Sequence, residues 1–358
     1  MRCVACDVPS GTVQGVPTAF PAQVGARHDA RMAEPDKVPP IVGAELLWDA
    51  VARWGAMVRL RREQFERLRV DRPDPQEYWR RRALNYFGAV RARHDPGEFV
   101  RRVVAACQDA ESHDARWATG AEPPPATVLD VGAGFGAVAV PVAVGGRRVT
   151  VVEPHPTMVE LLHRWADEER VSHRIRVVPG AWPAAVGGVE PHDVVVCSHV
   201  LYPIEDVVPF IDALIAATRR TCLVAMRLAG TEQAPGDLFR EFHGEERMPQ
   251  PGFGDLCALL AARGLHFDAT TYETDATWSY ADLDEAEEVL AESLLVSARP
   301  DARARIREWA GATLVAEEGR LVAPHHRMSV GIATLRPAAA PRRGVRSASA
   351  EANGWQSF

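Results

Sequence analysis

From Thr127 onward the chain alternates short, nearly continuous apolar runs with stretches whose apolar residues recur at helical spacing. Such runs suit strands buried on both faces, and their alternation with helices is the rhythm of a covered parallel sheet. The pattern predicts strands at Thr127 to Val131, Arg148 to Glu153, Ile175 to Val178, Asp193 to Ser198 and Thr221 to Arg227. Helices are expected between them near Gly136 to Val144, Pro156 to Glu169 and Ile204 to Thr218. Pro156 suits a first helical turn, where its missing N–H has no partner to lose. A helix at Gly254 to Arg263 and a strand near His266 to Tyr272 follow. Two helices, about Leu283 to Val296 and Asp301 to Gly311, then precede a last strand at Met328 to Leu335.

Ahead of this block, Leu46, Leu47, Val51, Trp54, Met57, Val58, Phe65 and Leu68 fall at helical spacings and predict a helical layer over roughly 43 to 117. Pro73 and Pro75 interrupt it. Gln76 to Arg93 resumes as a helix with Tyr78, Trp79, Leu84, Tyr86 and Phe87 as its apolar members, and a third helix covers Pro96 to Gln108. The charged, proline-rich stretch from Asp109 to Ala126 reads as a linker. Residues 1–40 and 337–358 are rich in small and polar residues without periodicity and read as disordered; Met32 is an alternative natural start. The expected organisation is a helical cap over 41–120 and an α/β domain over 121–336, with lid helices at about 282–312.

Composition narrows the class. With 358 residues, 47% of them hydrophobic, the chain can close a core, so collagen-like, coiled-coil and wholly disordered readings fall away. No stretch approaches the roughly 18 apolar residues of a membrane span, and the N-terminus lacks a charged start followed by an apolar core, so the protein reads as soluble and cytoplasmic. The net charge of −7 implies no general affinity for nucleic acid. A local excess does exist: residues 53 to 93 hold 12 Arg against five acids, either a codon preference, since Lys37 is the only lysine, or an anion-binding face. Cys3 and Cys6 form a lone CxxC, read as incidental. His325 and His326 with His266 lack metal-ligand spacing, and no metal is expected.

The informative segment is Val128 to Gly136, VLDVGAGFG, a strand that runs straight into three alternating glycines and a helix. Such a turn brings backbone N–H groups close to a ligand where a Cβ would block the approach. Seventeen residues after Gly136 the next strand ends in Glu153, where a carboxylate can accept from both hydroxyls of a ribose. Together they specify a nucleoside-bearing cofactor. Gly132, Gly134 and Ala137 also fit a permissive dinucleotide fingerprint. Against it, Asp130 would repel a pyrophosphate but suit an ammonium group, Gly136 makes the loop G-x-G-x-G, and no second mononucleotide half follows.

Taken with VVEP at 151–154 and DVVVCSHVLY at 193–202, this resembles the class I S-adenosylmethionine-dependent methyltransferases, well over about 121–228 and more loosely to 336. The resemblance implies a Rossmann-like, seven-stranded, mostly parallel sheet whose last strand is antiparallel, with S-adenosyl-L-methionine (SAM) as cofactor. It implies that Asp130, Gly132, Ala133 and Gly134 face the methionine part, that Glu153 and Pro154 hold the ribose end, and that Gly180, Ala181 and Trp182 lie along the adenine. Ser198 and His199 would border the methionine and the methyl group. Many members carry an acid in the turn after the third strand, which Ala181 and Trp182 do not supply.

Methyl transfer from a sulfonium asks for alignment, exclusion of water and removal of a proton where the nucleophile carries one. His199 is the first candidate base, or a residue that only orients its loop, and Tyr202 stands three residues on. Glu205 and Asp206 suit the start of the next helix. Trp278, Tyr280, Trp309, Tyr78 and Trp79 are candidates for the wall of a substrate pocket or for ordinary core, and Arg82 and Tyr86 share a helix face with Trp79. The implied substrate is a small molecule, since the Asn-Pro-Pro-Tyr type of tetrad of nucleobase amine methylases is absent after strand four. An RNA or protein substrate on the arginine-rich helices, a non-catalytic SAM-binding protein and a nicotinamide-dependent oxidoreductase are the alternatives. No membrane partner is expected; the sequence leaves the oligomeric state open.

Overall fold

The computed structural model describes residues 42–69, 84, 87–88, 90–91, 97–116, 124–228, 235–275, 279–317, 319–323 and 327–337. The two expected tails, apart from Pro337, and most of the helix expected over Gln76 to Arg93 lie outside these, as do Cys3, Cys6, Tyr78, Trp79, Arg82, Tyr86, Trp278, His325 and His326.

Strands β1 (Thr127–Val131), β2 (Arg148–Glu153), β3 (Ile175–Pro179), β4 (His192–Ser198) and β5 (Thr218–Arg227) pair in parallel, joined by β6 (Phe267–Asp275) and β10 (Arg327–Leu335). The order is β3-β2-β1-β4-β5-β10-β6, with β10 antiparallel to both of its neighbours. This is the seven-stranded, mostly parallel sheet that the sequence implied. Period-two alternation sends Val194 and Val196 to one face and Val195 and Cys197 to the other. The first face is covered by α2 (Gly97–Ala115), α3 (Ala139–Val144) and α4 (Pro156–Glu168). The second is covered by α5 (Val207–Ala216) and α7 (Phe253–Ala262), together with Trp54 and Val58 of α1 (Val42–Leu68). Fully buried side chains such as Ile211 and Leu214 each contribute about 1.5 to 3 kcal/mol by leaving water.

A third apolar cluster joins α6 (Gly236–His243), α8 (Leu283–Ser293) and α9 (Pro300–Thr313), with Phe65 and Leu68 from the end of α1 packed against it. Beside it β7 (Ser279–Tyr280), β8 (Val315–Glu317) and β9 (Arg320–Val322) form a small antiparallel sheet in the order β7-β9-β8. Asp282 caps α8 by accepting from the N–H groups of Asp284 and Glu285, each at 2.9 Å.

Several expectations need correcting. The helix expected from Gly136 begins at Ala139, because the glycine turn continues through Gly136 (φ +91°) before helical angles set in. The expected linker from Asp109 is helical to Ala115, held by Glu111 on Arg147 and Asp114 on Arg220. The helix placed at Ile204 to Thr218 spans only Val207–Ala216, and β5 starts three residues early, at Thr218. Neither α6 nor the small sheet was foreseen.

Candidate functional site

Because β1 and β4 are neighbours while the chain runs from β1 outward to β2 and β3, the strand order reverses between them. In open α/β sheets the crevice beyond the carboxyl ends of the strands at such a reversal is where ligands bind. Register brings Val131, Glu153, Pro179, Ser198 and Arg227 to this one edge.

The turn after β1 is built for close approach. Gly132 has φ +71° and Gly134 φ +56°, angles that an L side chain resists. A Cβ on Gly132 would stand 2.5 Å from Val200 Cγ2, so the turn and the loop after β4 pack together only because that atom is missing. The Gly132 N–H donates to Val152 O at 2.8 Å, and the Gly134 N–H donates to Glu153 Oε2 at 2.8 Å. Glu153 Oε1 accepts from the His155 N–H at 2.9 Å. The acid is therefore clamped across the turn by two amides, 6% exposed, and burial raises its pKa.

Asp130, 2% exposed, lies beneath the same turn. Its carboxylate accepts from the Ala139 N–H, and burial, then the charge of Glu153, pushes its pKa up to about 7. Oδ2 is buried with no hydrogen-bond partner. Two buried carboxylates and an orphaned acceptor around a positive-φ glycine turn repel phosphate. They fit a ligand that brings a cation and a sugar diol, which is what SAM offers.

Beyond β4, Ser198 is half-buried and His199 stands at the rim with φ +60°, its N–H donating to Ala225 O at 2.9 Å. His199 Nδ1 is 2.8 Å from Tyr202 Oη, and that oxygen accepts the Arg227 N–H at 2.9 Å. One side of His199 opens to solvent, yet protein crowds the ring closely enough that desolvation, helped by the Arg227 charge, holds its pKa down at about 4. An imidazole so weakly basic is a poor proton acceptor at neutral pH. Arg227 also lies over the Tyr202 ring at 5.8 Å, and Tyr272 of β6, raised to about 12 mainly by burial, is close enough to feel Tyr202. Sequence reasoning missed Arg227 and Tyr272; aligning the strand ends would have found the first, whereas the second depends on where β6 pairs.

The remaining candidates separate. Pro154 and Ala181 are exposed at the same edge, but Trp182, 7% exposed, buries its indole in the core and donates Nε1–H to Phe210 O at 3.2 Å, leaving only its backbone for a ligand. Tyr280 is buried in the third cluster and Trp309 packs on it, so both serve as core. Glu205 is bound by Arg59 at 3.0 Å and Arg62 at 2.9 Å, while Asp206 stands at the N-cap of α5 without a side-chain cap bond. Further along α1, Arg53 pairs with Asp255 and Arg67 with Glu245. Much of the basic face of α1 is thereby neutralised within the molecule. Among the described residues no helix is long and apolar enough to cross a membrane, and no group of three or more His, Cys, Asp or Glu side chains could hold a metal ion.

Residues 128–221 match a family model described as a methyltransferase domain. A ubiquinone biosynthesis O-methyltransferase from Methylobacterium sp. (strain 4-46) is 29% identical over 194 residues, covering 49% of this chain and 75% of that protein. Similar solved structures include the magnesium protoporphyrin IX methyltransferase of Synechocystis PCC 6803 with bound SAH, 14% identical with a TM-score of 0.39, covering 72% of this chain and 96% of that one. A SAM-dependent methyltransferase from Thiobacillus denitrificans in complex with S-adenosyl-L-homocysteine is 19% identical with a TM-score of 0.39, covering 70% of this chain and 96% of that one. The glycine turn, its paired acids and the match over residues 128–221 agree, and this part of the chain is similar to the methyltransferase domain of S-adenosylmethionine-dependent methyltransferases.

Proposed function

We propose that the chain moves the methyl group of SAM to an oxygen of a small-molecule acceptor. The observation that carries this reading is the pair of buried carboxylates, Asp130 and Glu153, on either side of the positive-φ turn at Gly132 and Gly134. Asp130, Gly132, Ala133 and Gly134 would receive the methionine end. Glu153, with lone pairs left beyond its two amide bonds, would take the ribose hydroxyls, with Pro154 beside it. Ala181 and the backbone of Trp182 would flank the adenine, and Ser198 and His199 would border the methyl group. When bound, the cofactor supplies a methyl on a positively charged sulfur whose departure leaves a neutral thioether. The chain's own work is to align the acceptor, exclude water and hold its polar groups in place. His199 and Tyr202, at the rim, are the groups assigned to the acceptor side.

Oxygen as the nucleophile is favoured by the name of the Methylobacterium relative, an O-methyltransferase. A small acceptor is favoured by the ion pairs of Arg53, Arg59, Arg62 and Arg67, which leave less of α1 to attract a nucleic acid or an acidic protein. The helices over 41–120 would cap the site and those over 282–312 would act as its lid.

Calorimetry of the full chain with SAM, S-adenosylhomocysteine and NADPH tests the cofactor assignment. Uptake of the first two and not of the third is expected. Glu153→Gln should weaken SAM binding by about 10- to 100-fold, equivalent to about 1.4 to 2.7 kcal/mol. Tight NADPH binding with no uptake of SAM would sink the reading, and unchanged SAM affinity in the variant would remove the ribose role of Glu153. Formation of S-adenosylhomocysteine on incubation with phenolic and carboxylic acceptors separates an enzyme from a binding protein.

A further inference from the structure

We propose that Tyr202 is a positioning residue: it holds His199 in the tautomer with the proton on Nε2, so the imidazole serves the acceptor as a hydrogen-bond donor and not as the base. This rests on the methyltransferase reading above and assigns the two rim residues different tasks within it.

The geometry is a chain of three groups. The backbone turns at His199 with φ +60°, and the tie from its N–H to Ala225 O holds that turn against the end of β5. This sets the His199 and Tyr202 rings nearly parallel, 14° apart in tilt and 6.2 Å between centroids, with Nδ1 2.8 Å from Oη. On its other side Oη accepts the Arg227 N–H at 2.9 Å. A phenol is a much better proton donor than the N–H of a neutral imidazole, and an unprotonated imidazole nitrogen is a better acceptor than a phenol oxygen. The bond between them is therefore better matched as O–H donating to Nδ1. An amide already donating to Oη polarises that hydroxyl further in the same sense, since successive hydrogen bonds in a chain strengthen one another. The Arg227 guanidinium over the Tyr202 ring acts in the same direction, favouring loss of phenolic proton density and disfavouring an imidazolium. Among the described residues, the titratable and charged groups around the ring are Tyr202 of its own loop and Arg227 of β5, with Tyr272 of β6 next to Tyr202.

With Nδ1 committed, the neutral ring carries its hydrogen on Nε2. Among the described residues no protein group is bonded to Nε2, and the residue is exposed at the rim. A fixed donor is thus presented beside the place where the acceptor would stand.

The test is long-range 15N–1H correlation spectroscopy on the full chain labelled at histidine, with S-adenosylhomocysteine added, the His199 signals being assigned by their loss in His199→Gln. At pH 7 the expected result is a protonated Nε2 and an unprotonated Nδ1, a pattern that persists to about pH 5. In Tyr202→Phe the bond to the neutral form is lost, so the two nitrogens should move toward the averaged positions of a free imidazole and the titration midpoint should rise. A wild-type His199 protonated on Nδ1, or on both nitrogens at pH 7, overturns the proposal, as does a folded Tyr202→Phe with unshifted nitrogens. Should that variant not fold, the wild-type spectrum alone decides. Calorimetry on the same sample keeps the two questions apart, because failure to take up S-adenosylhomocysteine would count against the cofactor reading while the tautomer is still read from the ligand-free protein.

Discussion

Asp130 sits in an environment that disfavours its charge. Its carboxylate is buried, one oxygen has no partner, and Glu153 lies within electrostatic reach. An acid with a raised pKa keeps a proton in the folded state that the unfolded chain has already lost. Its stabilising contribution is therefore full below about 3.8 and disappears as the pH rises through about 7. Asp130→Asn keeps the shape and removes the charge. The variant should be more stable than the parent at pH 8 without ligand, by about 1 to 3 kcal/mol, and its thermal midpoint should fall less between pH 4 and pH 7. SAM affinity should drop by about tenfold or more. Thermal scans across that pH range and calorimetry read both effects; a variant less stable at pH 8 would mean that the carboxylate is satisfied in a way the geometry does not reveal.

The elements are held by contacts that depend on single atoms. Gly331 sits inside β10 opposite the first residue of α7, and a Cβ there would lie 2.1 Å from the Phe253 ring. This close approach seats α7 on the antiparallel strand. Gly331→Ala should cost about 1 to 3 kcal/mol by overpacking, seen as a lower denaturant midpoint with an unchanged slope, and Gly331→Ala with Phe253→Leu should recover part of it. A midpoint equal to the parent's would show that the ring moves aside freely. Helix α1 is seated just as specifically, with Trp54 buried and donating Nε1–H to Ile204 O at 2.7 Å. Gln64 donates to Glu246 O and accepts from the Met248 N–H, each at 2.7 Å. Of these elements, strands β1 and β2 were legible to the residue, because short runs rich in Val, ended by Gly132 after β1 and by Glu153 and Pro154 after β2, are too short for a helix and suit a strand. The two-residue β7 carries no period to read, and past Gln108 α2 is held by tertiary contacts, Ala110 buried in the core and Glu111 and Asp114 paired with Arg147 and Arg220.

Across the molecule, the two faces of the main sheet carry one apolar cluster each, while α6, α8 and α9 close a separate one around Phe239, Leu290 and Ile306. A cluster with its own core can open without the sheet. Phe239→Ala should speed amide exchange in α6, α8 and α9 while leaving β1, β4 and β5 protected; loss of protection in all of them together would mean one cooperative unit. The sheet and the glycine turn were readable along the chain, since alternation and turn chemistry are local, and the positions of Asp130 and Glu153 followed from the strands that carry them. What no local pattern could assign was the company each side chain keeps. Trp182 turned inward to Phe210, Glu205 was taken up by Arg59 and Arg62, and His199 met Tyr202 under the amide of Arg227. Trp182 with Phe210, Glu205 with Arg59 and Arg62, and Tyr202 with the amide of Arg227 join residues 25 or more positions apart, and which of them meet is set by how the strands and helices pack, not by spacing along the chain.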